Sequence, residues 1–359
     1  MPSLFDPLDM GSIKAPNRIF MAPLTRARTV TDFIPTPMMG EYYAQRASAG
    51  LIFSEATGIS REGLGWPNAP GIWSDEQVEA WKPVLEQVHE AGGRIFCQLW
   101  HMGRLVHPDF LGGESPVSSS VTTAPSFAHT PTGKKPYEEA RALTLDDISR
   151  VIDDYGKATE NAKKAGFDGV QLHSANGYLI DQFIRDNSNF RTDQYGGSIE
   201  NRVRLLGEVT QRLVDVYGTE SVSVRLSPNG EIQGANDSTP LETFSAAATV
   251  LENIGIASLE LREPRPESSF AQPDSPPIAP HIRKIFSRTL ILNSDYRLDD
   301  AQAALDNGSA DAIAYGRPFI SNPDLPARLQ SGADLTPDNF KTWYSAGPEG
   351  YVDYPALAD

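Results

Sequence analysis

Eight short apolar runs, most of them separated by an amphipathic helical pattern, constrain this chain more than any other feature. They lie within Asn17–Arg26, Gly50–Ala56, Arg94–Trp100, the start of Gly169–Tyr178, Ser221–Ser227, Ser258–Arg262, Thr289–Asn293 and Ala312–Tyr315. Between them, Ser74-Asp75-Glu76-Gln77 has the form of a capping box, and Val78, Trp81, Leu85 and Val88 then recur at helical spacing. Thr144 to Ala165 reads as a long helix with Ile148, Val151, Ile152, Tyr155 and Ala162 on its inner stripe. Thr239-Pro240-Leu241-Glu242 offers a cap, a proline at the first helical position and a box glutamate. Strands alternating with helices imply a parallel sheet. Eight of them in 359 residues point to a closed (β/α)8 barrel of the TIM type, one domain over residues 1–359, with residues 1–18 as an N-terminal cap. The runner-up is an open doubly wound α/β sheet. Its glycine-rich turn after the first strand is missing, since Met21-Ala22-Pro23-Leu24-Thr25 has no glycine.

Residues 101–141 interrupt the alternation. They are rich in Pro, Ser, Thr and Gly, show no helical period, and leave the end of the third strand. A loop this long inside a compact domain is usually functional or disordered, and a lid is the preferred expectation here. The net charge of −16 argues against nucleic acid or an anionic membrane as partner. A single cysteine, Cys97, excludes an internal disulfide and a cysteine-held iron–sulfur cluster. No secretory signal and no membrane-length apolar run is visible, so a cytoplasmic location is expected.

Alternation along the strands assigns candidates for chemistry. In the third, fourth and fifth strands the apolar alternates should face the helices, which turns Gln98, His173 and Arg225 inward. Buried polar groups left unpaired cost about 1–3 kcal/mol each, so these three need one another or a common partner. A planar heterocycle with edge carbonyls and ring nitrogens would serve. His173, Asn176 and Tyr178 leave one strand end together, where barrel enzymes carry their chemistry. Taken singly, a structural histidine, a turn asparagine and a packing tyrosine would each be ordinary. Tyr315-Gly316-Arg317 closes the last strand, where barrels often hold a phosphate, although Arg317 in a surface ion pair is the plainer alternative. No two His stand at i, i+4 and no Gly-x-Ser-x-Gly elbow occurs, so neither a metal site nor a serine hydrolase is expected.

Several separate blocks, Ala22-Pro23-Leu24-Thr25-Arg26, Asn68-Ala69-Pro70-Gly71-Ile72-Trp73, Gln98-Leu99-Trp100-His101, His173-Ser174-Ala175-Asn176-Gly177-Tyr178-Leu179 and Gly316-Arg317 with Asn322-Pro323-Asp324-Leu325, resemble the old yellow enzyme family of flavin-dependent ene-reductases. The resemblance runs from Leu4 to Pro355. It implies a barrel with non-covalent FMN, reduced by NADH or NADPH, acting on enones and also on nitro compounds, as a monomer or homodimer. It further implies that Pro23, Leu24, Thr25 and Ala56 line the isoalloxazine, with Thr25 at its O4 edge. Gln98 would bind the pyrimidine edge and Arg225 would sit near N1 and O2. Asn293, Gly316 and Arg317 would hold the phosphate, with Trp343 and Tyr344 near the dimethylbenzene end. By the same resemblance His173 and Asn176 bind the substrate carbonyl, Tyr178 donates the proton, and Trp66 and Trp100 line the substrate site. Trp66 stands where many members have Tyr, and Asn176 is His in part of the family. Two other classes would leave different marks. A flavin-free barrel lyase or isomerase using His173 would be colourless, and a flavin carrier without turnover would be yellow but inert toward cyclohexenone.

Overall fold

The computed structural model describes residues 2–268 and 271–357; residues 269 and 270 of the proline-rich stretch after the sixth strand lie outside it. Among the described residues eight parallel strands form the barrel. They are β1 Ile19–Met21, β2 Ile52–Phe53, β3 Ile95–Trp100, β4 Gly169–Ser174, β5 Val222–Leu226, β6 Ser258–Arg262, β7 Thr289–Asn293 and β8 Ala312–Tyr315. Each pairs with the next, and Tyr315 of β8 registers with Met21 of β1, so the sheet closes on itself. Closure rules out the open doubly wound alternative. Outside run the helices α1 Pro37–Ala44, α2 Asp75–Glu90, α3 Leu145–Ala165, α4 Arg204–Tyr217, α5 Pro240–Ile254, α6 Ala279–Ile285, α7 Leu298–Asp306 and α8 Leu325–Ser331. None of the described helices is long and apolar enough to cross a membrane.

Local sequence explains most helix ends. At α2 the Ser74 side chain accepts from the Gln77 N–H while the Gln77 side chain accepts from the Ser74 N–H, completing the capping box. Thr144 and Asp147 do the same for α3, which stops at Gly166 in a left-handed conformation. The expected cap of α5 is corrected. Thr239 occupies the cap position but its hydroxyl caps nothing. Asp237 accepts from the Thr239 N–H at 3.0 Å and the Thr243 hydroxyl at 2.8 Å, tying the chain before α5 to its first turn. Arg202 holds that carboxylate in place.

Strand alternation divides the core. Ile95, Cys97 and Leu99 point outward into the layer shared with the helices. Phe96 points inward, to join Phe20, Phe53, Ile291, Ala312 and Ala314 in a plug at the lower end of the barrel. Met10, Ile13 and Ala15 complete this plug from a hairpin, Leu8–Met10 against Ile13–Ala15, which is the cap expected of the N-terminal segment. Gly169 shows how tight the plug is. A Cβ there would lie 2.4 Å from the Ser221 carbonyl oxygen and 2.5 Å from Phe96 Cζ. Gly169→Ala should therefore lower stability by about 1–3 kcal/mol, read as a fall in the urea midpoint.

Residues 101–141 are more ordered than their composition implies. They contain single turns at Gly103–Leu105 and Pro108–Phe110 and a hairpin, Phe127–Thr130 against Gly133–Pro136. Leu105, Val106, Phe110 and Ala124 pack with Ala56 and Trp100 above the C-terminal end of the barrel. The buried Gln182 side chain stitches this segment down. It accepts from the Ser118 hydroxyl at 2.9 Å and donates to the carbonyls of Met102 at 3.1 Å and Gly177 at 2.8 Å.

Candidate active site

The chain turns sharply after β4. Asn176 and Gly177 both adopt positive φ, 60° and 77°, which small polar residues and glycine tolerate best. The turn is fixed from several sides. The Asn176 N–H donates to the Ser227 hydroxyl at 2.8 Å, and the Asn176 carbonyl accepts from the Gln233 amide at 2.7 Å. The Gly177 N–H donates to Asp181 at 2.8 Å, and Arg185 holds that carboxylate at 2.9 Å. So anchored, Tyr178 sets its ring edge-on to His173, with centroids 4.8 Å apart, and to Trp100, 4.9 Å apart.

Electrostatics then fixes protonation. Burial, reinforced by the positive charge of Arg225, holds the His173 imidazole well below its ordinary pKa, so it is neutral at pH 7. Its Nδ1 accepts from the Ala175 N–H at 3.4 Å, which leaves the proton on Nε2 as a donor. Burial raises the Tyr178 phenol above its usual value, with the Gln233 side chain opposing, so the hydroxyl keeps its proton.

Beside this cluster lies a cavity of about 380 Å³. Pro23, Leu24 and Thr25 form one wall, and Asn176 and Arg225 another. Asn293, Gly316, Arg317, Trp343 and Tyr344 line the remainder. Ten of the residues singled out from the sequence thus share one cavity. Ala56, Gln98, His173, Tyr178, Trp66 and Trp100 are not part of its wall. Ala56 and Trp100 belong to the apolar cluster above the barrel, with Trp66 and Tyr178 packed at its edge. Trp66 also bridges the hairpin residue His129, at 4.8 Å, and Tyr344, at 5.1 Å. Arg317 pairs with Asp295 at 2.8 Å on the cavity wall, so the ion pair expected as the plainer alternative exists in the same place.

Gln98 and Arg225 are linked through Gln171 and Glu260, two residues that the sequence reading gave no role. Gln98 Nε2 donates to Gln171 Oε1 at 2.8 Å, and Gln171 Nε2 donates to Glu260 Oε2 at 2.8 Å. Arg225 donates to Glu260 Oε1 at 2.8 Å and to Asn293 Oδ1 at 2.9 Å. Both positions carry a signal in the sequence. Gln171 shares the inward face of β4 with His173, and Glu260 sits between Leu259 and Leu261, the same alternation that marked Gln98. Arg262, two residues on, also reaches the cavity, and burial and the nearby Arg225 hold it down to about 10.

The family resemblance places Trp343 and Tyr344 of the C-terminal tail at the site, but the residues that hold the tail there carried no sequence signal. Arg28 donates to the carbonyls of Trp343 and Thr342, each at 2.8 Å, and Arg26 to that of Gly350 at 2.7 Å. Glu55 in turn accepts from the Arg26 and Ala27 N–H groups, each at 3.0 Å. These bonds bring Trp343 and Tyr344 back over the loop that follows β1.

The sequence profile of the NADH:flavin oxidoreductase / NADH oxidase family matches residues 3–336. An old yellow enzyme homologue from Zymomonas mobilis is 59% identical, with a TM-score of 0.98 over 99% of this chain and 100% of that one. This chain belongs to the old yellow enzyme family. Morphinone reductase, solved in complex with tetrahydroNAD, is 43% identical with a TM-score of 0.94, covering 100% of this chain and 99% of its own. The putative 12-oxophytodienoate reductase 11 of Oryza sativa subsp. japonica is 41% identical over 358 residues, 99% of this chain and 97% of the relative. Old yellow enzymes are flavoprotein oxidoreductases, and the polar lining of the cavity, with both donors and acceptors, fits a flavin. Arg225 Nε and Asn176 Oδ1 are buried without a partner, and both residues line the cavity. Gly316 lines the same cavity and carries no side chain, so its backbone is open to a ligand there.

Proposed function

We propose that this protein is an FMN-dependent NAD(P)H ene-reductase acting on the activated C=C bond of α,β-unsaturated carbonyl compounds. One observation carries the reading. A neutral histidine with its proton on Nε2, an asparagine and a protonated tyrosine converge beside a cavity floored by Arg225 and walled by Pro23, Leu24 and Thr25. Pro23, Leu24, Thr25 and Ala56 would line the isoalloxazine, and Gln98 and Arg225 would meet its pyrimidine edge. Asn293, Gly316 and Arg317 would hold the phosphate, while Trp343 and Tyr344 would close the far end. When bound, FMN would accept a hydride from NADH or NADPH and deliver one from N5 to the β-carbon of the enone.

The chain's own groups do the rest. His173 and Asn176 donate to the substrate carbonyl oxygen, where negative charge grows, as an oxyanion hole does. Tyr178 delivers a proton to the α-carbon. Trp66 and Trp100 shape the substrate's approach, and the 101–141 segment folds over it as a lid. The nicotinamide analogue bound by morphinone reductase supports the use of a nicotinamide reductant. Nitro compounds extend the substrate range, since their reduced intermediates can take protons from solvent.

Arg317→Ala should weaken FMN binding about ten-fold. A charged hydrogen bond contributes about 1.5–3 kcal/mol. The lower figure applies because Arg317 is about a third exposed and shared with Asp295. Equilibrium titration of the apoprotein with FMN checks this, and unchanged affinity would remove Arg317 from the phosphate site. The reading itself is tested by turnover of enones, maleimides and nitro compounds with each nicotinamide. Enone reduction is expected, and oxidation of NAD(P)H by none of these acceptors would refute it.

A further inference from the structure

Glu260 is a fully buried carboxylate in the middle of β6, and its two oxygens face in different directions. Oε1 accepts from Arg225 at 2.8 Å, and Oε2 accepts from Gln171 at 2.8 Å. A carboxylate can only accept, so Gln171 must turn its NH2 toward Glu260. That leaves the Gln171 carbonyl for its other neighbour, and Gln98 must in turn present its NH2 there, at 2.8 Å. The charge on one residue therefore sets the orientation of two amides in series. It also sets the placement of Arg225, whose second arm reaches Asn293 at 2.9 Å. Arg225 and Arg262 bring two positive charges to the same cavity, and Glu260 is the fully buried counter-charge joined to the first.

We propose that Glu260 is a positioning residue that fixes Arg225 on the cavity wall directly and orients the Gln98 amide, which lies outside that wall, through Gln171, and so sets the reduction potential of the bound flavin. The proposal rests on the FMN reading above. Negative charge at position 260 offsets the positive field of Arg225 at the flavin's pyrimidine edge. Removing it should favour the reduced, more negative form. The Gln98 amide, held one way round, keeps its carbonyl and its second N–H for the ligand.

The test uses holoprotein and redox-dye equilibration. In Glu260→Gln the ratio of reduced to oxidised FMN affinity should rise about ten-fold, an upward shift of about 30 mV for a two-electron couple. Glu260→Asp keeps the charge and should return most of that shift, which a merely structural role would not do. Gln171→Leu breaks the relay and leaves the charge. It should weaken oxidised FMN binding several-fold while moving the potential less than Glu260→Gln. A wild-type potential in Glu260→Gln overturns the proposal and leaves the FMN reading standing. If that variant does not fold, wild-type FMN affinity in Gln171→Leu overturns it instead. A wild-type apoprotein that takes up no FMN overturns both.

Discussion

Tyr178→Phe is expected to leave FMN binding and its reduction by NAD(P)H intact while slowing enone reduction about 10²–10⁴-fold, the usual contribution of general acid catalysis. The substitution keeps the ring that packs against His173 and Trp100 and removes only the hydroxyl. A phenol, with an ordinary pKa of about 10, is a weak acid. It suffices here because the acceptor is an enolate-like carbon. Burial pushes the phenol higher still, so it stays protonated throughout the neutral range and the proton is available. Nitro compounds should be slowed less. Stopped-flow measurement of the two half-reactions separates proton donation from packing: slowing of the enone half alone is predicted, and equal slowing of both would reject Tyr178 as the donor.

The His173→Ala/Asn176→Ala double variant should lose at least about 10²–10³-fold in enone reduction, the cost of removing even one oxyanion-hole donor. Phenols, which place an oxygen where the enone carbonyl sits, should lose affinity with it. The readout is the charge-transfer band that a phenol raises on oxidised flavin, and an undiminished band would mean the pair serves another purpose. His173 also predicts a pH effect. Its folded pKa lies well below the unfolded value of about 6.5. Below about pH 6.5 the unfolded chain therefore binds a proton that the folded chain does not. Stability should fall as pH drops from 7 toward 5, and His173→Ala should flatten that slope. Thermal melts across this range would show it, and an equal slope in both proteins would contradict the neutral, buried assignment.

The parts of this site that were legible in the sequence share a physical cause. Strand alternation has a period of two, so Gln98, His173 and Arg225 declare their inward direction, and the same rule extends to Gln171 and Glu260. Capping at Ser74 is local chemistry and reads directly, whereas Thr144, read as the first helical residue, is the cap of α3. What was hidden depends on partners far along the chain. Asp237 ties the chain before α5 to Thr243, and Arg202, 35 residues away in sequence, anchors that carboxylate. Arg26 and Arg28 bind carbonyls of the C-terminal tail, and a backbone carbonyl carries no sequence signature. The order within 101–141 comes from packing against Trp100 and from hydrogen bonds to Gln182, neither of which shows as helical period.

Anaerobic spectrophotometry of the FMN-loaded protein tests the central claim most directly. The account predicts a yellow protein that bleaches when one equivalent of NADH or NADPH is added and regains its oxidised spectrum when cyclohexenone follows. Protein that stays colourless after incubation with FMN, or that bleaches and is not reoxidised by cyclohexenone, would contradict it.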